Sequence, residues 1–324
     1  MRPRSLLAIG VALALGAAAA SIRLPYLAVE PGRAIDVLPR IQVEGAVRDT
    51  AGAILSTDVV LRELDPLGLV RAWLDPDAVV VPTSTYVPPT STFEEQGDVG
   101  LAQMASSKVD AAAAALRLVA GYPRNRGRGV LVEAVTAGCD AAGKVAPGDV
   151  VLAIDGAIVR SVVAAGARIE EVPSGGTVTF RVLRDDAEEE VAVVRAPCGG
   201  STEPLVGVAL VANLPVDVTI ASGEVGGPSA GLAYALGICD LLTPGDLTGG
   251  RIVAATGAIG IRGRVRPVGG IPQKLRAAEE AGATVFLVPR GNLRAALAVE
   301  TSMEVVPVRT LAEAVAALAG EPVG

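Results

Sequence analysis

The chain has 324 residues, 51% of them hydrophobic and 2% aromatic, with a formal net charge of −7. That length gives room for about two domains of roughly 100–200 residues, with cores of Val, Leu, Ile and Ala, and the acidic balance argues against a nucleic-acid partner, which needs a clustered positive field. Histidine is absent, so Ser-His-Asp and Cys-His catalysis are excluded, the commonest zinc ligand is missing, and proton transfer falls to Lys, Asp, Glu, Tyr, Cys or a terminal amine.

At the amino terminus, "MRPRSLLAIGVALALGAAAASIRLPY" places Arg2 and Arg4 before an uncharged stretch, Ser5 to Ile22, of 18 residues. At about 1.5 Å per residue this falls just short of a hydrocarbon core of about 30 Å. Residues 1–24 therefore read as a signal anchor, or as a signal peptide in which the Ala17–Ala20 run supplies the small-residue cleavage site. The arginines keep the terminus inside and the rest of the chain outside, giving a single-pass protein of the cell membrane with its bulk extracytoplasmic, or a secreted one if the signal is cut.

Residues 25–125 form an extracytoplasmic region in which "IQVEGAVRDTAGAILSTDVV" predicts a hairpin, Ile41 to Val60, around a turn at Asp49–Gly52. A Pro/Ser/Thr-rich loop follows, and then "LAQMASSKVDAAAAALRLVAGYP" predicts a helix that Gly121 stops. From 126 to 198 the pattern becomes short β-runs, "GVLVEAV", "DVVLAIDG", "TVTFRVLRD" and "EVAVVRA", with a helix-compatible segment near Ser161–Glu171. With "PGDVVLAIDG" at its centre, this order resembles a PDZ domain of the bacterial protease-associated type. Asp140 stands where many relatives have proline. The resemblance implies that Gly127, Arg128, Gly129 and Val130, the "GRGV" stretch, receive a peptide carboxylate by β-augmentation. The cysteines Cys139, Cys198 and Cys239 have no CxxC spacing, which argues against a metal site. Outside the cytosol Cys139 and Cys198 are able to pair, and buried free thiols are the alternative.

From 199 to 324 strands and helices alternate: "VGVALVANLPVDVTIA", "SAGLAYALGICDLL", "RIVAATGAIG", "PQKLRAAEEAG", "TVFLVP", "NLRAALAVE" and a strand-helix tail. In "GGPSAG" the glycines permit tight turns and Pro228 fixes φ just before Ser229, at a helix mouth where unpaired N–H groups favour negative charge. Serine there is an N-cap or a nucleophile. A nucleophile needs a base, and Lys274 in "GGIPQKLRAA" sits in a first helical turn, on the border of an apolar face of Ile271, Leu275 and Ala278. A solvated lysine, with a pKa of about 10.4, is a poor base at neutral pH, so burial is a requirement of the chemistry.

"GGPSAGLAYAL" and "ATGAIGIRGRVRPVGGIPQKLRAAEEAGATVFLVPRGN" together resemble the proteolytic domain of the Lon family over some 70 residues, Gly223 to Asn292. The resemblance implies Ser229 as nucleophile, Lys274 as general base, an oxyanion hole from the backbone N–H groups of Ser229 and Gly227, and Thr256 as the partner that holds the lysine amine. Gly226 and Ala258 depart from acidic residues common in that family. No GxxxxGK[ST] loop occurs in the sequence, so ATP-independent cleavage of polypeptides with no cofactor is expected. Lon-type domains often form rings, which implies a homo-oligomer. The expected fold class is α+β and multidomain: a membrane helix, a PDZ-like β-rich module and a Lon-type α/β proteolytic domain, with the early hairpin belonging to the protease fold. The rival is a non-catalytic peptide-binding or chaperone protein on the same scaffold.

Overall fold

In the computed structural model, which describes residues 22–47, 50–122, 129–184, 187–214, 216–223 and 225–320, the two β-runs expected to form a hairpin do not pair with each other. The long first strand β1 (Tyr26–Asp36) takes that place, running antiparallel to β3 (Ala53–Glu63), while β2 (Ile41–Val43) belongs elsewhere. A short helix α1 (Pro66–Leu74), capped by the Asp65 carboxylate on the Gly68 N–H, leads to an edge strand β4 (Val79–Pro82) that also pairs with β1.

The next helix, α2 (Phe93–Val119), starts eight residues earlier than Gly100 allowed the sequence pattern to suggest. Thr92 and Glu95 form a reciprocal capping box that fixes its start, and Gly121 follows its end with φ of 74°. Gly100 lies against another backbone: a Cβ there would be in ordinary contact with Gly226 and Gly227 at 3.5 Å, and the tighter side is Gly226, where a Cβ would stand 3.2 Å from the Gly100 carbonyl carbon.

The described residues before Gly121 and those from Val218 onward form one compact unit, and Gly121–Asp217 form another. In the second unit the strands are β5 (Val130–Val135), β6 (Val150–Ile154), β7 (Ala157–Ile158), β8 (Thr177–Arg184), β9 (Ala187–Val194) and β12 (Val208–Ala212), with helix α3 (Val162–Glu171) and a small β10 (Ala196–Pro197) and β11 (Pro204–Leu205) pair. The main sheet runs β12-β5-β6-β8-β9, over a core that includes Val130, Val151, Ile154, Phe180 and Val182. The boundary expected at 198/199 thus falls inside this unit, because Val208–Ala212 adds antiparallel to β5. Cys139 and Cys198 are joined in a disulfide with Cα atoms 5.0 Å apart across 59 residues. Replacing both with serine should destabilise this unit by about 2–4 kcal/mol, seen as a lower midpoint for its step in urea unfolding.

Back in the first unit, β13 (Val218–Ile220) pairs with β2. Helix α4 (Gly231–Leu242) is buried from Gly231 through Leu241, as expected of a helix that is apolar all round. Strands β14 (Ile252–Ala255), β17 (Val285–Pro289) and β18 (Glu304–Val308) then extend the first sheet, in the order β18-β17-β14-β3-β1-β4. The pairing of β3 with β14 is parallel, Ala53 opposite Ile252 through Ser56 opposite Ala255. The early segment and the carboxy-terminal half therefore share one mixed sheet. A β15 (Ala258–Ile259) and β16 (Val265–Arg266) ribbon, helices α5 (Ile271–Glu280) and α6 (Leu293–Leu297), and the last helix α7 (Leu311–Leu318) complete the unit. Leu55, Ala254, Ile271, Leu275, Ala278 and Phe286 pack α5 onto the sheet.

Among the described residues no helix is long and apolar enough to cross a membrane. The expected membrane helix lies outside the described residues as far as Ser21.

Candidate active site

Ser229 lies in a single 3₁₀ turn, Pro228–Ala230, that runs into α4. Gly227 precedes it with φ of 84°, a conformation that residues with a Cβ rarely adopt. The turn is held from two sides. On one, the Ser229 carbonyl accepts from the Gly257 N–H at 2.8 Å and from the Thr256 hydroxyl at 3.3 Å. On the other, α2 contributes the Ser107 hydroxyl, which donates to the Pro228 carbonyl at 3.1 Å, and the Gly100 carbonyl, which accepts from the Gly227 N–H at 2.7 Å.

Lys274 enters from the first turn of α5, which Gly270 opens in the left-handed region and Pro272 continues. A Cβ on Gly270 would lie 2.6 Å from Val59 Cγ1, so the helix mouth sits directly against β3. The Lys274 side chain is 2% exposed, which rules out a snorkelling surface lysine. Its Nζ lies 2.9 Å from Ser229 Oγ and 2.5 Å from the Thr57 carbonyl of β3. Burial pulls the amine pKa down to about 8, against the opposing pull of the Asp58 carboxylate. An amine so placed is a base within reach of physiological pH.

Thr57 and Asp58 lie opposite an irregularity in β1, where the register slips between Pro31 and Ala34. The Asp58 carboxylate fills the slip by accepting from the Arg33 N–H at 2.5 Å. Bulges of this kind re-aim groups beside active sites. The Thr57 hydroxyl is buried with no hydrogen-bond partner among the described residues. A narrow cleft beside Ser229 is bordered by Ile35, Arg40, Thr57, Asp58, Val225 and Tyr234.

Ser229 and Lys274 are thus brought together as expected from the sequence, and two supporting residues are not where expected. The Thr256 hydroxyl supports the serine carbonyl, and the lysine amine is held by the Thr57 carbonyl in its stead. The Gly227 N–H is already committed to Gly100, so it is not available to an oxyanion in this arrangement. The Ser229 N–H, in the first turn after a proline, has no intrahelical acceptor. Cys239 is no rival nucleophile, because burial pushes its thiol pKa up to about 12.

In the second unit, Gly127 and Arg128 lie outside the described residues. Gly129 has φ of 71° with the Val151 carbonyl 2.2 Å from where a Cβ would stand, and Val130 opens β5. Val130 pairs with Val151 on one side and Ala212 on the other. The strand edge expected to receive a peptide is therefore occupied by the chain's own β12.

Residues 175–319 match the family model described as Lon protease (S16) C-terminal proteolytic domain. The match begins within the second unit and leaves β1, β3, α1 and α2 outside it. The chain is similar to "Lon protease 2" of Herpetosiphon aurantiacus, 35% identical over 127 residues, which is 38% of this chain and 15% of that protein. It is also similar to "Lon protease 2" of Bacillus subtilis, 38% identical over 91 residues, 28% of this chain and 16% of that protein. The alignments thus span less than a fifth of the length of either relative. Among solved structures, the PDZ domain of an SdrC-like protein from Listeria monocytogenes is 26% identical and aligns over 26% of this chain and 90% of that one, with a TM-score of 0.25.

Proposed function

We propose that the protein is a membrane-anchored serine endopeptidase that cleaves polypeptides without ATP, using Ser229 as nucleophile and Lys274 as general base. The observation that carries this reading is the 2.9 Å contact of a buried amine with a partly buried hydroxyl at a helix mouth. In the neutral state the lysine lone pair accepts the Ser229 proton as Oγ bonds to the peptide carbonyl carbon, and the Ser229 N–H donates to the developing oxyanion. The C–N bond then breaks, with the proton passing from Nζ to the leaving amine. Water then gives a proton to the same amine as its oxygen bonds to the ester carbon, and the C–Oγ bond breaks with that proton passing from Nζ to Oγ, which restores Ser229 and the neutral lysine. Similarity of residues 175–319 to Lon proteolytic domains supports polypeptides as the substrate class. The Cys139–Cys198 bond fits an extracytoplasmic setting.

The test is labelling by a fluorophosphonate, which phosphonylates only an activated serine. The wild-type chain should be labelled at Ser229, and Ser229→Ala and Lys274→Ala should not be. An unlabelled wild-type protein would favour the non-catalytic scaffold.

In the same reading the second unit selects or presents polypeptide, but β12 must first leave the edge of β5. Leu210, on β12, packs against that unit's core. Leu210→Asp should loosen the strand and tighten binding of a peptide with a free carboxy terminus severalfold, read by fluorescence anisotropy.

A further inference from the structure

Helix α1 carries two apolar faces, and only one is used. Ala72 is buried in a small cluster with Ala28 and Leu64, against which Leu69 packs. On the other side Trp73 is 80% exposed, Leu74 69%, Val70 55% and Leu67 51%. At 3.6 residues per turn these four side chains occupy an arc of about 120°, too large and continuous a patch to leave in water without a purpose.

The place of this arc in the chain says what covers it. The uncharged stretch ending at Ile22 joins the described structure immediately beside α1: the Leu24 N–H donates to the Leu64 carbonyl at 2.8 Å, one residue before the Asp65 cap. Arg23 lines a cleft together with Leu67, Gly68, Arg71 and Phe93. A nine-residue helix is about 14 Å long, so α1, which starts beside Leu24, keeps its residues near the point where the uncharged stretch ends. If that stretch enters a bilayer, α1 is held at the level of the headgroups. An amphipathic helix with tryptophan and leucine on one face binds there.

We propose that α1 is an interfacial helix, with Leu67, Val70, Trp73 and Leu74 sunk in the boundary between headgroups and acyl chains. This rests on the reading of residues 1–24 as an anchor. Arg23, Arg62 and Arg71 share their cleft with Glu63 and Asp65, and Arg62 is paired with Glu30, so the local charge is balanced. Attachment is then driven by apolar area, and zwitterionic lipid suffices.

Trp73 is the one tryptophan of the sequence and reports its own surroundings. The full chain, reconstituted in phosphatidylcholine vesicles with brominated acyl chains and excited at the tryptophan edge, should lose at least half the emission seen in unbrominated vesicles. High salt should not restore it. Val70→Asp with Leu74→Asp, which leaves the reporter in place, should abolish most of the quenching while the protein still floats with the vesicles. Wild-type chain that floats with undiminished emission overturns the interfacial helix and leaves the anchor standing. Emission that shifts with protein concentration but ignores bromine assigns the face to a second copy of the chain and overturns the proposal. Chain that does not float overturns both the anchor and the helix placement.

Discussion

Lys274→Arg should be as inactive as Lys274→Ala, each losing about 10²- to 10⁴-fold in kcat/KM on an unfolded, dye-labelled polypeptide. The arginine variant separates two roles that the geometry leaves superimposed. As a cation, Lys274 can hold the Ser229 oxygen and the Thr57 carbonyl at 2.9 and 2.5 Å, and a guanidinium supplies donors for that task. As a base it must offer a lone pair, which a guanidinium does not do at any working pH. Substantial activity in the arginine variant would mean that the amine only orients the serine. Ser229→Ala should fall to the same floor, and the double variant should be no lower, because two groups serving one proton transfer are lost together.

The proposed pairing of Ser229 with Lys274 is legible in the sequence through the resemblance to Lon proteolytic domains, since the local pattern alone leaves Ser229 an N-cap or a nucleophile. Gly227-Pro228-Ser229 before an Ala/Leu run marks a turn into a buried helix, and Gly270 and Pro272 mark the mouth of another. What holds the dyad was not legible, because it depends on pairing across the fold. Thr57, whose carbonyl accepts from the lysine, lies on β3 where the register slips in β1, and no local pattern encodes a slip. The same holds for α2. The expected helix begins at Leu101, yet Gly100, inside the observed one, is where the serine turn docks. The oxyanion role of the Gly227 N–H is what the resemblance implies, and the Gly100 carbonyl that takes it in the structure is far away in sequence. Strand β12 falls in the carboxy-terminal half by sequence order, and only its pairing with β5 places it in the second unit.

Cleavage should rise about tenfold per pH unit below pH 8 and level off above it, because the proposed base works only when neutral. With a pKa of about 8, the Lys274 amine is neutral in about one molecule in a hundred at pH 6 and about nine in ten at pH 9. The gain in kcat/KM over that range is close to two orders of magnitude. Asp58 is the means of moving this profile, since its carboxylate opposes the effect of burial on Lys274. Asp58→Asn keeps an oxygen to accept from the Arg33 N–H but removes the charge, so the rising limb should shift to lower pH and activity at pH 7 should increase. A limb that stays in place would mean that a group other than Lys274 sets the profile. Stability gives an independent reading. Between about pH 8 and 10.4 the unfolded chain holds the lysine proton and the folded one does not, so this residue's contribution to stability rises with pH across that window. Urea midpoints should therefore climb through it in the wild-type protein relative to Lys274→Met, which has no proton to release, and parallel curves would show that the amine is not depressed in the folded state.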